Sequence, residues 1–406
     1  MITTNIHTAS YRQLFNIHDN IQRHHLVTLS EALEAFWDGA DIKHCRKSPS
    51  SPIPYSFVKT KCGDRWSVLL ITNVHVGSKG KFGVVKIALP ILRFTDAFII
   101  DFPAACALKI IREQSSALPA NYEQSSAFHA MQHYYPDTAI LTTSERIKHN
   151  GHRLIYIAMP LLLGMDLQRY LVTYPHQHTL LQYLEISLAI AREVENLHDK
   201  NFVHGDIKPE NIIINTANNT MSVQLIDFDG TLQFNDEKLK KIKTKGFYPT
   251  WLNENYANAE TDIYAVAICI VNMLGGLPPN FPNATAQTIY DQLGIALAQF
   301  WPAGVNSTML SAQVKIRTLI YAIFFDSSKE VSAIHSIGEV VACLDSLITN
   351  MKHARSQFRA YANQTPWPCL PASPVIGQIE LPRKARPAAN KTAHTNWIED
   401  ACCSIQ

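Results

Sequence analysis

The run Val203-His204-Gly205-Asp206-Ile207-Lys208-Pro209-Glu210-Asn211 constrains this chain more than any other stretch. It sets an Asp, a Lys two residues on and an Asn five residues on directly ahead of the apolar run Ile212-Ile213-Ile214. His-Gly-Asp alone fits an ordinary turn; with Lys-Pro-Glu-Asn attached, a chance turn no longer accounts for it. At 406 residues the chain has room for one two-lobed domain with extensions, or for about two to three small ones. With 47% hydrophobic and 17% charged residues it can bury a large core and is not disordered throughout. A net charge of +2 carries no footprint of nucleic acid, and no nucleic-acid partner is expected. The eight cysteines show neither paired metal-ligand spacing nor a small secreted framework, and read as thiols of a reducing compartment. Met1 to Asn16 lacks the charged and apolar blocks of a secretory signal. No stretch approaches the roughly 18–20 apolar residues of a membrane span, so a soluble, cytoplasmic chain is expected.

The run at 203–211 resembles the catalytic loop of eukaryotic-type Ser/Thr protein kinases. The resemblance implies that Asp206 accepts or orients the proton of an attacking hydroxyl and that Lys208 neutralises charge on the γ-phosphate. It also implies that the Asn211 oxygen binds magnesium. A Lys two residues after the base is the Ser/Thr-kinase arrangement. Gly205 departs from the family, where most members carry an Arg that grips a phosphorylated activation loop. Activity without activation-loop phosphorylation is therefore expected. His-Gly-Asp is also similar to small-molecule kinases of the aminoglycoside phosphotransferase type, which keeps a second reading open.

Ahead of the loop, residues 1 to 47 carry amphipathic helical spacing at Leu26, Leu29, Leu33 and Phe36-Trp37, read as a cap on a lobe or as a separate interaction module. A Ser/Pro linker follows at 48–54, and then a strand-like run, Trp66 to Ile71. Val76-Gly77-Ser78-Lys79-Gly80-Lys81-Phe82-Gly83-Val84-Val85 resembles the family's glycine-rich loop. Gly77, Gly80, Phe82, Gly83 and Val85 are its nucleotide-binding candidates, with Gly77 one residue early against the family register. Ala107-Leu108-Lys109 resembles the end of the family's lysine strand, and a Lys in a buried strand requires a charged partner. Lys109 is expected to meet the α/β-phosphates and a helix Glu, for which Glu123 is the candidate; Asn121 and Gln124 are read as its capping box. The segment 93–103 is expected to form a hairpin extension.

Further on, Met159 resembles a gatekeeper, Leu161 belongs to a hinge that contacts adenine, and Asp166 stands where ribose hydroxyls are bound. Asp227-Phe228-Asp229 is similar to Asp-Phe-Gly, which makes Asp227 a magnesium ligand. Asp229 replaces the usual Gly, and is read either as stiffening the segment or as a second carboxylate near the metal. Five lysines crowd 238–245, read as a solvated loop or as a site for an acidic peptide or phosphorylated headgroup. Thr244 to Thr250 resembles the family's P+1 loop, with Thr250 in place of a Glu. The run Thr261 to Pro279 resembles the buried central helix of the large lobe, whose Asp262 is expected to hold the catalytic-loop backbone.

The expected architecture is α+β and two-lobed, a small antiparallel N-lobe sheet with one main helix ahead of a larger helical C-lobe. Its segments are residues 1–64 (helical extension and linker), 65–163 (N-lobe), 164–362 (C-lobe) and 363–406 (disordered Pro-rich tail). The tail ends Cys402-Cys403-Ser404-Ile405-Gln406, which fits a prenylation pattern at Cys403 with Cys402 open to a second acyl chain; the alternative is an ordinary terminus. Prenylation implies peripheral membrane association in a eukaryotic cell, native or a host into which the protein is delivered. The function implied is transfer of the γ-phosphate of ATP, with Mg2+ or alternatively Mn2+, to a Ser or Thr hydroxyl of a protein substrate. A pseudokinase interaction module and a small-molecule or lipid kinase are the alternatives.

Overall fold

The computed structural model describes residues 2–5, 33–34, 36–37, 56–62, 65–76, 83–94, 97–112, 124–135, 141–142, 147–149, 152–162, 164–174, 178–216, 221–234, 244, 246–247, 258–277, 286–300, 307–324 and 334–364. Its first half is strands: β1 (Ile2–Asn5), β2 (Ser56–Cys62), β3 (Arg65–His75), β4 (Gly83–Phe94), β5 (Ala97–Asp101) and β6 (Cys106–Arg112). After the helix α1 (Ser126–Tyr134) come β7 (Leu141–Thr142), β8 (Ile147–His149) and β9 (His152–Pro160). β4 and β5 form the hairpin expected at 93–103, pairing Phe94 with Ala97 and Arg93 with Phe98.

The lobe sheet starts earlier in the chain than the sequence indicated. β2, assigned above to the linker, pairs antiparallel with β3 from Ser56↔Ile71 to Cys62↔Arg65. β2 also meets β7 at Lys61↔Thr142, and β6 pairs with both β4 and β9. The strands β4, β3, β2, β7, β9 and β6 thereby close into an antiparallel ring. Closure removes sheet edges that would otherwise expose unpaired N–H and C=O groups.

Alternation along the strands gives this ring two apolar faces. Leu69 and Ile71 join Leu108, Leu154, Tyr156 and Ala158 in one cluster, with Val58 of β2. Val68 and Leu70 face the other way, into a cluster with Ile87, Leu89, Phe98 and Ile100. Leu33 and Phe36 belong to this second cluster, and Trp37 packs against it. Lys59 Nζ donates to the Trp37 carbonyl at 3.0 Å and lies 5.4 Å from the centre of the Phe36 ring. The N-terminal helical turn is thus part of this lobe's core.

The second half is mostly helical. β10 (Met165–Asp166) leads into α2 (Leu167–Thr173), then α3 (Leu180–His198), the short strands β11 (Phe202–Val203), β12 (Ile212–Asn215), β13 (Ser222–Leu225) and β14 (Leu232–Gln233), and α4 (Ala259–Met273). The lobe ends with α5 (Ala286–Ala298), α6 (Ser307–Phe324) and α7 (Ile337–Gln364). Thr179 and Gln182 cap α3 reciprocally, and Asn258 and Thr261 cap α4 in the same way. α4 is buried on every side, including the unbroken run Ala265 to Val271, so it forms the axis on which the lobe packs. Among the described residues no helix is long and apolar enough to cross a membrane. Cys402 and Cys403 lie outside the described residues.

Candidate active site

Asp206, Lys208 and Asn211 follow β11 on a loop that ends in the turn Pro209–Asn211. The buried strand β12 behind it holds this loop in place, so the carboxylate of Asp206, 8% exposed, sits on a rigid base. Asp206 Oδ2 accepts from Lys208 Nζ at 2.7 Å, and Oδ1 accepts from Thr244 Oγ1 at 2.6 Å. Lys208 also donates to Thr244 Oγ1 at 3.2 Å. Asn211 Nδ2 donates to the Asp206 carbonyl at 2.8 Å and to its Oδ2 at 3.2 Å, which leaves the amide oxygen as the atom to face a cation.

The loop's backbone hangs from α4. Asp262, 1% exposed, accepts from the amides of His204 at 2.7 Å and Gly205 at 2.9 Å, and from His198 Nε2 at 2.9 Å. Gly205 turns through φ +77°, in the left-handed region where a glycine carries no Cβ penalty. His204 is buried; its Nε2 meets the Ile226 carbonyl at 3.0 Å while its Nδ1 accepts from the Asp206 amide at 3.3 Å. That pairing assigns the proton to Nε2.

Asp227 follows β13 with φ +65°, an uncommon conformation for a residue with a side chain. Its Oδ1 lies 2.6 Å from Lys109 Nζ, and Asp229 Oδ2 lies 2.7 Å from the same nitrogen. Burial raises the Asp227 carboxyl, but the Lys109 ammonium beside it outweighs this and holds it below the usual carboxylate range. Phe228 is buried between them, with ring centroids 5.1 Å from Tyr134, 6.0 Å from Tyr135 and 5.2 Å from His204.

α1 is fastened to the same region. Tyr135 Oη donates to the Leu225 carbonyl at 2.7 Å, and Tyr134 Oη accepts from the Leu225 amide at 2.9 Å. Tyr134 in turn donates to Glu193 of α3. The N-cap of α1 is Ser125, whose Oγ accepts from the Phe128 amide at 3.1 Å, rather than the expected Asn121. Glu123 lies outside the described residues, as do Gly77, Gly80 and Phe82.

Gly83 and Val85 lie on β4, and Val85 pairs with Lys109 across the ring. A Cβ on Gly83 would come within 2.2 Å of the Ile110 carbonyl oxygen, so a glycine is required there for strand pairing alone. The Val76 amide donates to the Val85 carbonyl at 2.9 Å and closes the base of the loop at 77–82. Val85 and Leu161 pack against one cluster, while Met159 pairs with Ala107 and packs on the other lobe's core. Asp166 caps α2, its Oδ1 accepting from the Arg169 amide at 2.9 Å. Thr244 against Asp206 and the pair Tyr134–Tyr135 on Leu225 were not among the sequence candidates; Asp229, read above as stiffening the segment or as a second carboxylate near the metal, lies against Lys109. An acidic residue in place of the glycine was the one available signal, for Asp229.

The family model described as protein kinase domain matches residues 99–360. Human 3-phosphoinositide-dependent protein kinase 1 is 33% identical over 97 residues, 22% of this chain and 17% of that protein. The probable serine/threonine-protein kinase PknB of Corynebacterium glutamicum is 28% identical over 148 residues, 35% of this chain and 22% of that protein. Both matches thus cover less than a quarter of the relative's length.

Proposed function

The chain belongs to the protein kinase family, and on that premise we propose that it transfers the γ-phosphate of ATP to a Ser or Thr hydroxyl of a protein. The observation that carries the reading is Asp206 held between Lys208 and Thr244, with Asn211 bonded to it from behind. In this reading Asp206 orients the acceptor hydroxyl and takes its proton, and Lys208 offsets charge on the moving phosphoryl group. Lys109 steadies the remaining phosphates, and Val85 and Leu161 flank the adenine. Asn211 and Asp227 would hold the divalent cation; two hard oxygen donors suit magnesium, which completes its shell with phosphate and water, and manganese is the alternative. When bound, that cation neutralises phosphate charge.

Two features support activity without a phosphorylated activation segment. Gly205 has no side chain with which to grip a phosphate. The end of α1 is already fastened to Leu225 and Glu193 through Tyr134 and Tyr135. The experiment is transfer of labelled γ-phosphate from Mg-ATP to a generic protein acceptor, before and after phosphatase treatment of the enzyme. Label on Ser or Thr, undiminished by the treatment, is the expected result. Label reaching only small hydroxylated acceptors contradicts a protein substrate, and activity abolished by the phosphatase contradicts independence from phosphorylation.

A further inference from the structure

Lys109 has two acidic partners on one short turn. Its Nζ lies 2.6 Å from Asp227 Oδ1 and 2.7 Å from Asp229 Oδ2. The Asp229 side chain is 17% exposed, against 38% for Asp227, so Asp229 is the more enclosed partner and Asp227 the one open to the cleft. A further negative charge where phosphates bind is unfavourable unless it has a role, because like charges repel strongly in a partly desolvated site.

We propose that Asp229 is a positioning residue, which keeps Lys109 in place when Asp227 is drawn to the cation of the nucleotide. The proposal rests on the phosphotransfer reading above. While both carboxylates hold the ammonium, the lysine is restrained from two sides. Once Asp227 turns to a cation, one restraint goes, and a four-carbon stem readily swings. Asp229 retains the second charge-assisted hydrogen bond.

The turn itself is well supported. Phe228, between the two acids, is 2% exposed and set among Tyr134, Tyr135 and His204, so the backbone joining them is fixed. Gly230 follows, where a Cβ would lie 3.1 Å from the His204 carbonyl oxygen; the turn therefore packs directly on the loop that carries Asp206. The lysine's anchor and the metal ligand thus share one rigid turn, Phe228–Gly230 and the residue before it, which packs on the end of α1 through Phe228.

The test compares the full chain with Asp229→Asn and Asp229→Gly. Without nucleotide, each is acetylated with N-hydroxysuccinimidyl acetate, and the rate at Lys109 is read by peptide mass. With Mg-ATP, kcat and KM are measured on a protein acceptor. We expect Lys109 to label about tenfold faster in both variants, the scale of one charge-assisted hydrogen bond, and kcat/KM to fall by about the same factor. Asn should behave like Gly, because the charge is what is lost; a role only in shaping the turn would spare the Asn variant and overturn the proposal. Labelling unchanged in both variants overturns it whatever the activity. A shift in divalent-cation dependence with labelling unchanged overturns it too, in favour of Asp229 as a metal ligand. Loss of the phosphotransfer reading shows separately, as a wild-type chain that transfers no phosphate while the labelling difference persists.

Discussion

Gly205 turns through φ +77° and donates its amide hydrogen to Asp262 Oδ1 at 2.9 Å. The backbone of the loop that carries Asp206 is therefore held in a conformation that an L-residue adopts at a cost of about 1–2 kcal/mol. Gly205→Ala is predicted to lose about that much stability, read as a lower urea midpoint with an unchanged slope. Gly205→Arg should lose at least as much, and should not make activity dependent on phosphate. A midpoint unchanged in both variants would mean that position 205 tolerates a side chain freely.

Removing the acceptor has a larger effect. Asp262→Ala leaves the buried amide of His204 and the half-buried amide of Gly205 without their oxygen partners, at a cost of about 1–3 kcal/mol for each. The predicted loss is about 2–6 kcal/mol in denaturant unfolding, with a fall in kcat because Asp206 sits one residue beyond. Asp262→Asn keeps one oxygen and should fall between wild type and Ala.

The burial of Glu193 beside Tyr134 makes stability depend on pH. Burial raises the Glu193 carboxyl above its ordinary value of 4.5, outweighing the Tyr134 hydrogen bond and the Lys200 charge that lower it. The folded state then binds this proton more tightly than the unfolded chain. The contribution is fully present below about pH 4.5 and is lost as pH rises through the folded value. Relative to Glu193→Gln, the wild type should lose stability as pH rises from about 4.5 towards neutrality. Parallel curves for the two proteins across that range would contradict this.

Phe36 decides between a cap and a separate module at the N-terminus. It is 7% exposed and lies 5.7 Å from the Phe57 ring, within the cluster that holds Val68 and Leu70 of β3. Phe36→Ala should destabilise the strand lobe by about 3 kcal/mol, measured by hydrogen exchange in β3 and β4. Unchanged protection in those strands would favour an independent module.

Much of this arrangement was legible in the sequence because it rests on periodic or local signals. α3 and α4 declare themselves through apolar spacing, and Asp206, Lys208 and Asn211 come together because they occupy one short loop. β2 was not legible: Ser56-Phe57-Val58-Lys59-Thr60-Lys61-Cys62 mixes polar and apolar residues, and becomes a strand by pairing with β3 and β7. Lys109 was legible as a residue needing an acid. Its contact with Asp229 spans 120 positions, so only the folded chain reveals it. The contacts of Tyr134 and Tyr135 with Leu225 were hidden for the same reason, since 91 and 90 positions separate them.

The central claim is that Asp206 is the base of a phosphotransfer site. Its most direct test is the initial rate of γ-phosphate transfer from Mg-ATP to protein by the wild-type chain, beside Asp206→Ala shown to be folded by circular dichroism. The account predicts transfer by the wild type and a loss of roughly 100- to 10,000-fold in the variant, the usual scale for removing a general base. A folded variant that transfers phosphate at the wild-type rate would contradict it.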